Sequence, residues 1–381
     1  MRSAGREWLL LAASVGASTL LALLLLRWLA PSLFGVAPDL RVVQVAEEVP
    51  PFYENVFRQG DLNGDELIVQ DPYTVVRTQP LRPPGPTGPT DILGFRNAAV
   101  PNRADVVAIG DSQTFGLNAP LQGNWPSRLD DALGDGSSVY AMAGGGWGAV
   151  QYLDIFRKAL FLEPRLVIVA FYSGNDAMES FRAAYSVEHW SDLRVDPDIP
   201  PDQRPPPPPA PADDIWEARF GPGEKDFMVF TPGRRLYANR EHPVVDAGWQ
   251  IMAAVGQRMA AEARAAGVAV VFAIIPTKEL IYAERVAASG LAPPEDYARL
   301  IELERLRIDA LSESLRRLAG ATTVDLLGPL SRAALQQHTH LRGPDGHPRP
   351  HGYAVIAETL APTAARLARA SQDSAAQSVD P

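Results

Sequence analysis

A three-layer α/β sandwich built on a mostly parallel, doubly wound sheet is the fold this chain predicts. Short apolar runs alternate with amphipathic stretches. The runs are apolar throughout rather than at every second residue, as in strands covered on both faces, and several break into turns that lead into helices.

The strands are read at 106–109, 139–141, 166–170, 268–275 and 322–326. Helices are read at 124–133, 151–161, 247–266 and 296–318. This α/β domain occupies residues 104–370. Ahead of it, residues 8–30 are almost unbroken apolar sequence, enough for a transmembrane helix across roughly 30 Å of hydrocarbon. Residues 1–37 are therefore expected to be an uncleaved membrane anchor, because a signal peptide has a shorter apolar core and Pro38 follows the small-residue cleavage position near Ala37. Arg2 and Arg6, on the short amino-terminal side, place the remainder outside the cytoplasm by the positive-inside rule.

Residues 38–103, with Pro50-Pro51 and the proline-glycine stretch from Pro83 to Pro89, read as an irregular stalk that packs on the domain. Within it Asp61, Asn63 and Asp65 imitate a calcium loop. Glu66 stands where that loop needs glycine and Pro72 where it needs an acid, so a polar turn is expected. Residues 194–225, with consecutive prolines from Pro205 to Pro209, read as an extended surface insertion, and residues 371–381 as a disordered tail.

Composition narrows the function. A net charge of -10 with no long Lys/Arg block excludes a nucleic-acid partner, which needs a concentrated basic face. Zero cysteines exclude disulfides, thiolate metal sites, a cysteine nucleophile and a lipoprotein anchor.

Four segments carry chemistry. In Gly110-Asp111-Ser112 an apolar strand breaks at a glycine into a serine, at the carboxyl edge where ligands bind in open α/β sheets. Alone this is a common capped turn, but it makes Ser112 a candidate nucleophile. Gly144-Gly145-Gly146 occupies a later strand-to-helix turn and leaves amides open to an oxyanion; it fits neither phosphate-binding glycine pattern. After the next strand, Ser173-Gly174-Asn175-Asp176 offers the Asn175 amide to developing negative charge, with an Asx turn as the competing reading. Finally, Asp345-Gly346-His347 spaces acid and imidazole two residues apart. Extended chain projects both to one side, so Asp345 holds one ring nitrogen while the other faces a serine. Asp325, which also ends a strand, is a second candidate orienter. His338, His340, His347 and His351 cluster in sequence, yet no metal-binding framework accompanies them. No metal is expected; His338 and His340 read as solvated, and His351 as the start of the last helix.

Taken in order, these segments resemble the four blocks of the SGNH, or GDSL-type, hydrolase superfamily over roughly residues 104–370. The resemblance implies a flavodoxin-like fold with Ser112 as nucleophile and His347 with Asp345 as base and orienter. It also implies an oxyanion hole of Ser112 N–H, Gly146 N–H and the Asn175 amide, with no cofactor. The chain departs from the family at Ala141, where an Asn often precedes the glycine turn, and at Pro344, because many members separate Asp and His by two residues. The one-residue separation, Ile275-Pro276-Thr277-Lys278-Glu279 and the amino-terminal anchor are more similar to the alginate O-acetyltransferase-related branch. The implied activity is that of an extracytoplasmic, membrane-anchored serine esterase acting on O-acyl, chiefly O-acetyl, carbohydrate. Acyl transfer to an envelope or exported polysaccharide, alongside its assembly machinery, uses the same residues and stays open. A non-catalytic glycan-binding or assembly scaffold is the third reading.

Overall fold

In a computed structural model the described residues are 68–71, 73–85, 87–134, 137–210, 213–221 and 226–377. The anchor expected at 1–37 and the calcium-like loop lie outside them. Among the described residues no helix is long and apolar enough to cross a membrane.

A hairpin of β1 (Ile68–Asp71) and β2 (Val75–Thr78) precedes the α/β domain. The central sheet comprises β3 (Val106–Gly110), β4 (Val139–Ala143), β5 (Leu166–Tyr172), β8 (Ala269–Ile275) and β9 (Ala321–Asp325), after an outlying hairpin of β6 (Trp216–Arg219) and β7 (Phe227–Phe230). Its order is β4-β3-β5-β8-β9, and every pairing is parallel. The chain leaves β3 toward one edge and returns to β5 on the other side, so the winding reverses between these two strands. That switch point is where doubly wound sheets open a crevice at their carboxyl ends. Both strands that border it are buried along their whole length.

The helices are α1 (Ser112–Phe115), α2 (Trp125–Leu133), α3 (Ala149–Ala159), α4 (Asp176–Ser186), α5 (Pro232–Leu236), α6 (Pro243–Ala266), α7 (Lys278–Ile281), α8 (Ala283–Ala288), α9 (Glu295–Arg316), α10 (Leu327–Gln336) and α11 (Pro350–Gln377). Strand residues such as Val106, Ala108, Ile168 and Ala170 share a core with Trp125 and Leu129 of α2 and Tyr353, Ile356 and Leu360 of α11. Burying each such large side chain contributes roughly 1.5–3 kcal/mol, so α11 is firmly docked. Phe171 faces Tyr152 of α3 instead, with ring centroids 5.9 Å apart, completing the third layer.

Some boundaries shift from expectation. Strands β4 and β5 each continue two residues further, to Ala143 and Tyr172, because their ends remain covered on both faces. The last helix reaches Gln377, into the segment read as a disordered tail. Residues 73–103 pack against the domain through specific bonds: Trp147 Nε1 donates to Val76 O at 2.6 Å and Trp190 Nε1 to Tyr73 O at 2.9 Å. The buried Arg96 guanidinium donates to Ala119 O at 2.7 Å and to Gly116 O, clamping the loop after α1. In the insertion, the proline run has no regular secondary structure and Pro205 is buried, while Asp214 accepts from the Gly233 and Arg234 backbone N–H groups and so caps α5.

Candidate active site

Ser112 opens α1 immediately beyond β3. Gly110 is required there, since a Cβ would strike Thr114 Oγ1 and come within 3.0 Å of Ala170 O on the neighbouring strand. Asp111 caps the helix, its Oδ1 accepting from Gln113 N at 2.8 Å. Thr114 N and Phe115 N donate to Asp111 O at 3.1 and 2.9 Å, whereas the N–H of Ser112, the first of the helix, has no preceding turn to bond to.

At the other end of the domain, Asp345 and His347 lie on the loop before α11. His347 Nδ1 is 2.8 Å from Asp345 Oδ1, and the same oxygen accepts from His347 N at 2.7 Å. His347 Nε2 is 2.7 Å from Ser112 Oγ. Asp345 holds the ring proton on Nδ1, which leaves the Nε2 lone pair facing the serine hydroxyl. Asp111 Oδ2 also faces that hydroxyl, but at 3.3 Å, so the imidazole is the better acceptor. Burial pushes the Asp345 carboxyl up, yet the hydrogen bonds from the His347 ring and backbone outweigh it and hold the group below the usual carboxylate range. It is thus ionised where it must orient an imidazole and offset imidazolium charge.

Asn175 follows β5 across the switch point. Its side chain makes no capping bond to α4, so the Asx-turn reading fails and the amide is available to the cleft it lines. The cleft measures about 470 Å³ and brings together Ser112, Asn175, Asp345 and His347. Gly146 is not among its lining residues. It sits exposed in the turn after β4, with φ of +74° and open space where a Cβ would stand. That turn is tied to the site by Gly144 N, which donates to Gly110 O at 3.3 Å. Where the family often has an asparagine, Ala141 has its backbone bracketed by the Asn97 side chain, which donates to Ala141 O at 2.9 Å and accepts from Ala141 N at 3.1 Å.

None of the other candidates joins the hydrogen-bonded chain of Ser112, His347 and Asp345. Asp325 is exposed and accepts from Leu327 N and Gly328 N, capping α10. His340 is not solvated: it is buried beside Thr339 Oγ1 at 3.0 Å, and burial lowers its pKa well below the ordinary value. His338 is only partly exposed, 3.4 Å from Asp226. His351 stands in the first turn of α11, as expected. Among the described residues no cluster of potential ligands could hold a metal ion.

Several neighbours have no site role assigned from sequence, although Asp176 and Lys278 lie in segments singled out there. Lys278, in the segment after β8, is fully buried and donates to Gly343 O at 2.7 Å and Asp345 O at 2.9 Å, fastening the loop that carries the imidazole. Burial lowers its pKa to about 8. Beneath it, Glu304 accepts from Thr277 N at 2.8 Å and Thr277 Oγ1 at 2.6 Å, and burial raises its pKa to about 7. Asp176 is buried, accepting from Tyr152 Oη at 2.9 Å and Tyr172 N at 2.8 Å; burial and then the nearby Asp111 charge push its pKa well up. Tyr172, Arg234 and Arg235 line the cleft from β5 and α5. Only the charge of the arginines is visible in sequence, and α5 is too short to show periodicity.

The model of the GDSL-like lipase/acylhydrolase family matches residues 108–355. Solved structures similar to the chain include a GDSL-like lipase from Bacteroides thetaiotaomicron VPI-5482, at 15% identity over 68% of this chain and 87% of that one, with a TM-score of 0.35. TesA is 18% identical over 69% and 98%, with a TM-score of 0.36. The extracellular lipase of Streptomyces rimosus is 14% identical over 67% and 99%, with a TM-score of 0.34. No curated protein matches the chain.

Proposed function

Since the chain belongs to the GDSL-like lipase/acylhydrolase family and is an SGNH-type ester hydrolase, we propose that it removes short acyl groups, chiefly acetyl, from carbohydrate esters through a covalent Ser112 acyl-enzyme. The observation that carries this reading is the continuous contact from Ser112 Oγ through His347 to Asp345. His347 Nε2 takes the hydroxyl proton as Oγ attacks the ester carbonyl. The tetrahedral oxyanion receives hydrogen bonds from Ser112 N–H and the Asn175 amide, with Gly146 N–H as the third donor this reading assigns. His347 then returns the proton to the departing alcohol, and a water, deprotonated by the same imidazole, releases the acid.

Cleft chemistry supports a short acyl group on a polar alcohol. Of its lining residues only Pro344 and Gly346 lack a polar side-chain group, so a long alkyl chain has no aliphatic wall to bury against. The expected extracytoplasmic setting, held by the amino-terminal apolar segment, fits an envelope or exported substrate.

The test is a substrate series. p-Nitrophenyl acetate, butyrate and palmitate, and an acetylated oligosaccharide, are compared by kcat/KM and by acetate release. Acetate esters turned over at least tenfold faster than palmitate, with free acetate as product, are expected. A palmitate optimum overturns the short-acyl reading, and acetylated acceptor without free acetate reassigns the enzyme to transfer.

A further inference from the structure

Two donors in the same cleft have nothing to donate to. Arg235 Nε and the Tyr172 hydroxyl are buried without a hydrogen-bond partner among the described residues, and both side chains line the cleft that holds Ser112 and His347. An orphaned buried donor forfeits its hydration without replacement, and more so when charged, so two together call for an acceptor that arrives with the substrate.

The negative groups around Arg235 do not meet this need. Glu279 Oε2 forms a long ion pair with Arg235 Nε at 3.9 Å, beyond hydrogen-bond reach, so it offsets charge without accepting the N–H, and its Oε1 is occupied by Thr231 N at 2.9 Å. Asp345 is engaged by His347, and Glu304 by Ser173 and Thr277. The arginine is nevertheless held in place. Asp214 caps the helix that bears it, and a Cβ on Gly346 would collide with its guanidinium and approach the Tyr172 hydroxyl to 3.3 Å. The Nη2 end of the guanidinium and the Tyr172 hydroxyl therefore both abut the backbone between the acid and the imidazole. Arg234 stands exposed at the rim, a local positive charge on a protein whose net charge is -10.

We propose that Arg235 and Tyr172 form an anion subsite that binds a substrate carboxylate beside the scissile bond, so that the preferred substrates are esters carrying that group on the acyl or alcohol part. A guanidinium fork matches the two coplanar oxygens of a carboxylate, and the phenol adds a third donor. This assignment rests on the ester-hydrolase reading of the same cleft.

The experiment compares kcat/KM of the intact protein on 3-acetoxybenzoate, its neutral methyl ester and 3-acetoxyphenyl phosphate. At least a tenfold preference for the carboxylate over the methyl ester, expressed mainly in KM, is expected. Arg235→Gln should bring that ratio close to one, Arg235→Lys should keep part of it, and Tyr172→Phe should lower it several-fold; the last two carry the test if Arg235→Gln does not fold. Equal turnover of charged and neutral esters by the unmodified protein overturns the subsite and leaves the hydrolase reading intact. A phosphate preference overturns the assignment to carboxylate. No turnover of any ester, with Ser112 inert to phosphonate, overturns both.

Discussion

His347 Nε2 lies 2.7 Å from Ser112 Oγ although 235 residues of chain separate them. The sheet makes this contact: Ser112 leaves the carboxyl end of β3, and α11, docked through Tyr353, delivers the histidine loop to the same edge. Tyr353 Oη also donates to Leu117 O at 2.8 Å, joining α11 directly to the loop after the serine helix.

Ser112→Ala and His347→Ala should each lower kcat by roughly 10⁴ or more, and the double variant should be little worse than either, because the pair acts as a unit. Steady-state kinetics on p-nitrophenyl acetate checks this; additive losses would contradict it.

Asp345 and Asp325 should separate cleanly. Asp345→Asn should cost kcat on the order of 10³–10⁴, since an amide no longer fixes the imidazole proton. Asp325→Ala should leave kcat unchanged and cost only the α10 cap, about 1 kcal/mol in urea unfolding.

Much of the fold was legible because the runs around Val106, Leu166 and Val270 are wholly apolar, the mark of strands buried on both faces. The glycines and short polar residues after them marked the crevice, which is why Ser112, Asn175, Asp345 and His347 could be named from local chemistry. Lys278 and Arg235 could not, because their roles arise from carbonyls and rings contributed by distant segments. The His340 ring reads as solvated for the same reason: its loop looks polar, but the Tyr282 ring meets it edge-on, with centroids 6.1 Å apart.

Lys278→Met should lower kcat about 10- to 100-fold with a smaller change in KM, because the Gly343 and Asp345 carbonyls lose their shared donor and the histidine loop drifts. Equal changes in both parameters would contradict a positioning role.

Glu304 gives a pH signature. Its folded pKa of about 7 lies above the ordinary 4.5, so the folded state binds the extra proton between those values. Its contribution is full below pH 4.5 and is lost as pH rises through 7. Relative to Glu304→Gln, the unmodified protein should lose on the order of 3 kcal/mol of unfolding free energy across that window. Parallel stability curves would remove the effect.

The most direct measurement is covalent labelling of the full chain with a fluorophosphonate, followed by peptide mapping. Modification confined to Ser112, abolished by Ser112→Ala and strongly slowed by His347→Ala, is the predicted result. Labelling elsewhere, or undiminished labelling in the His347 variant, would contradict a serine activated by that imidazole.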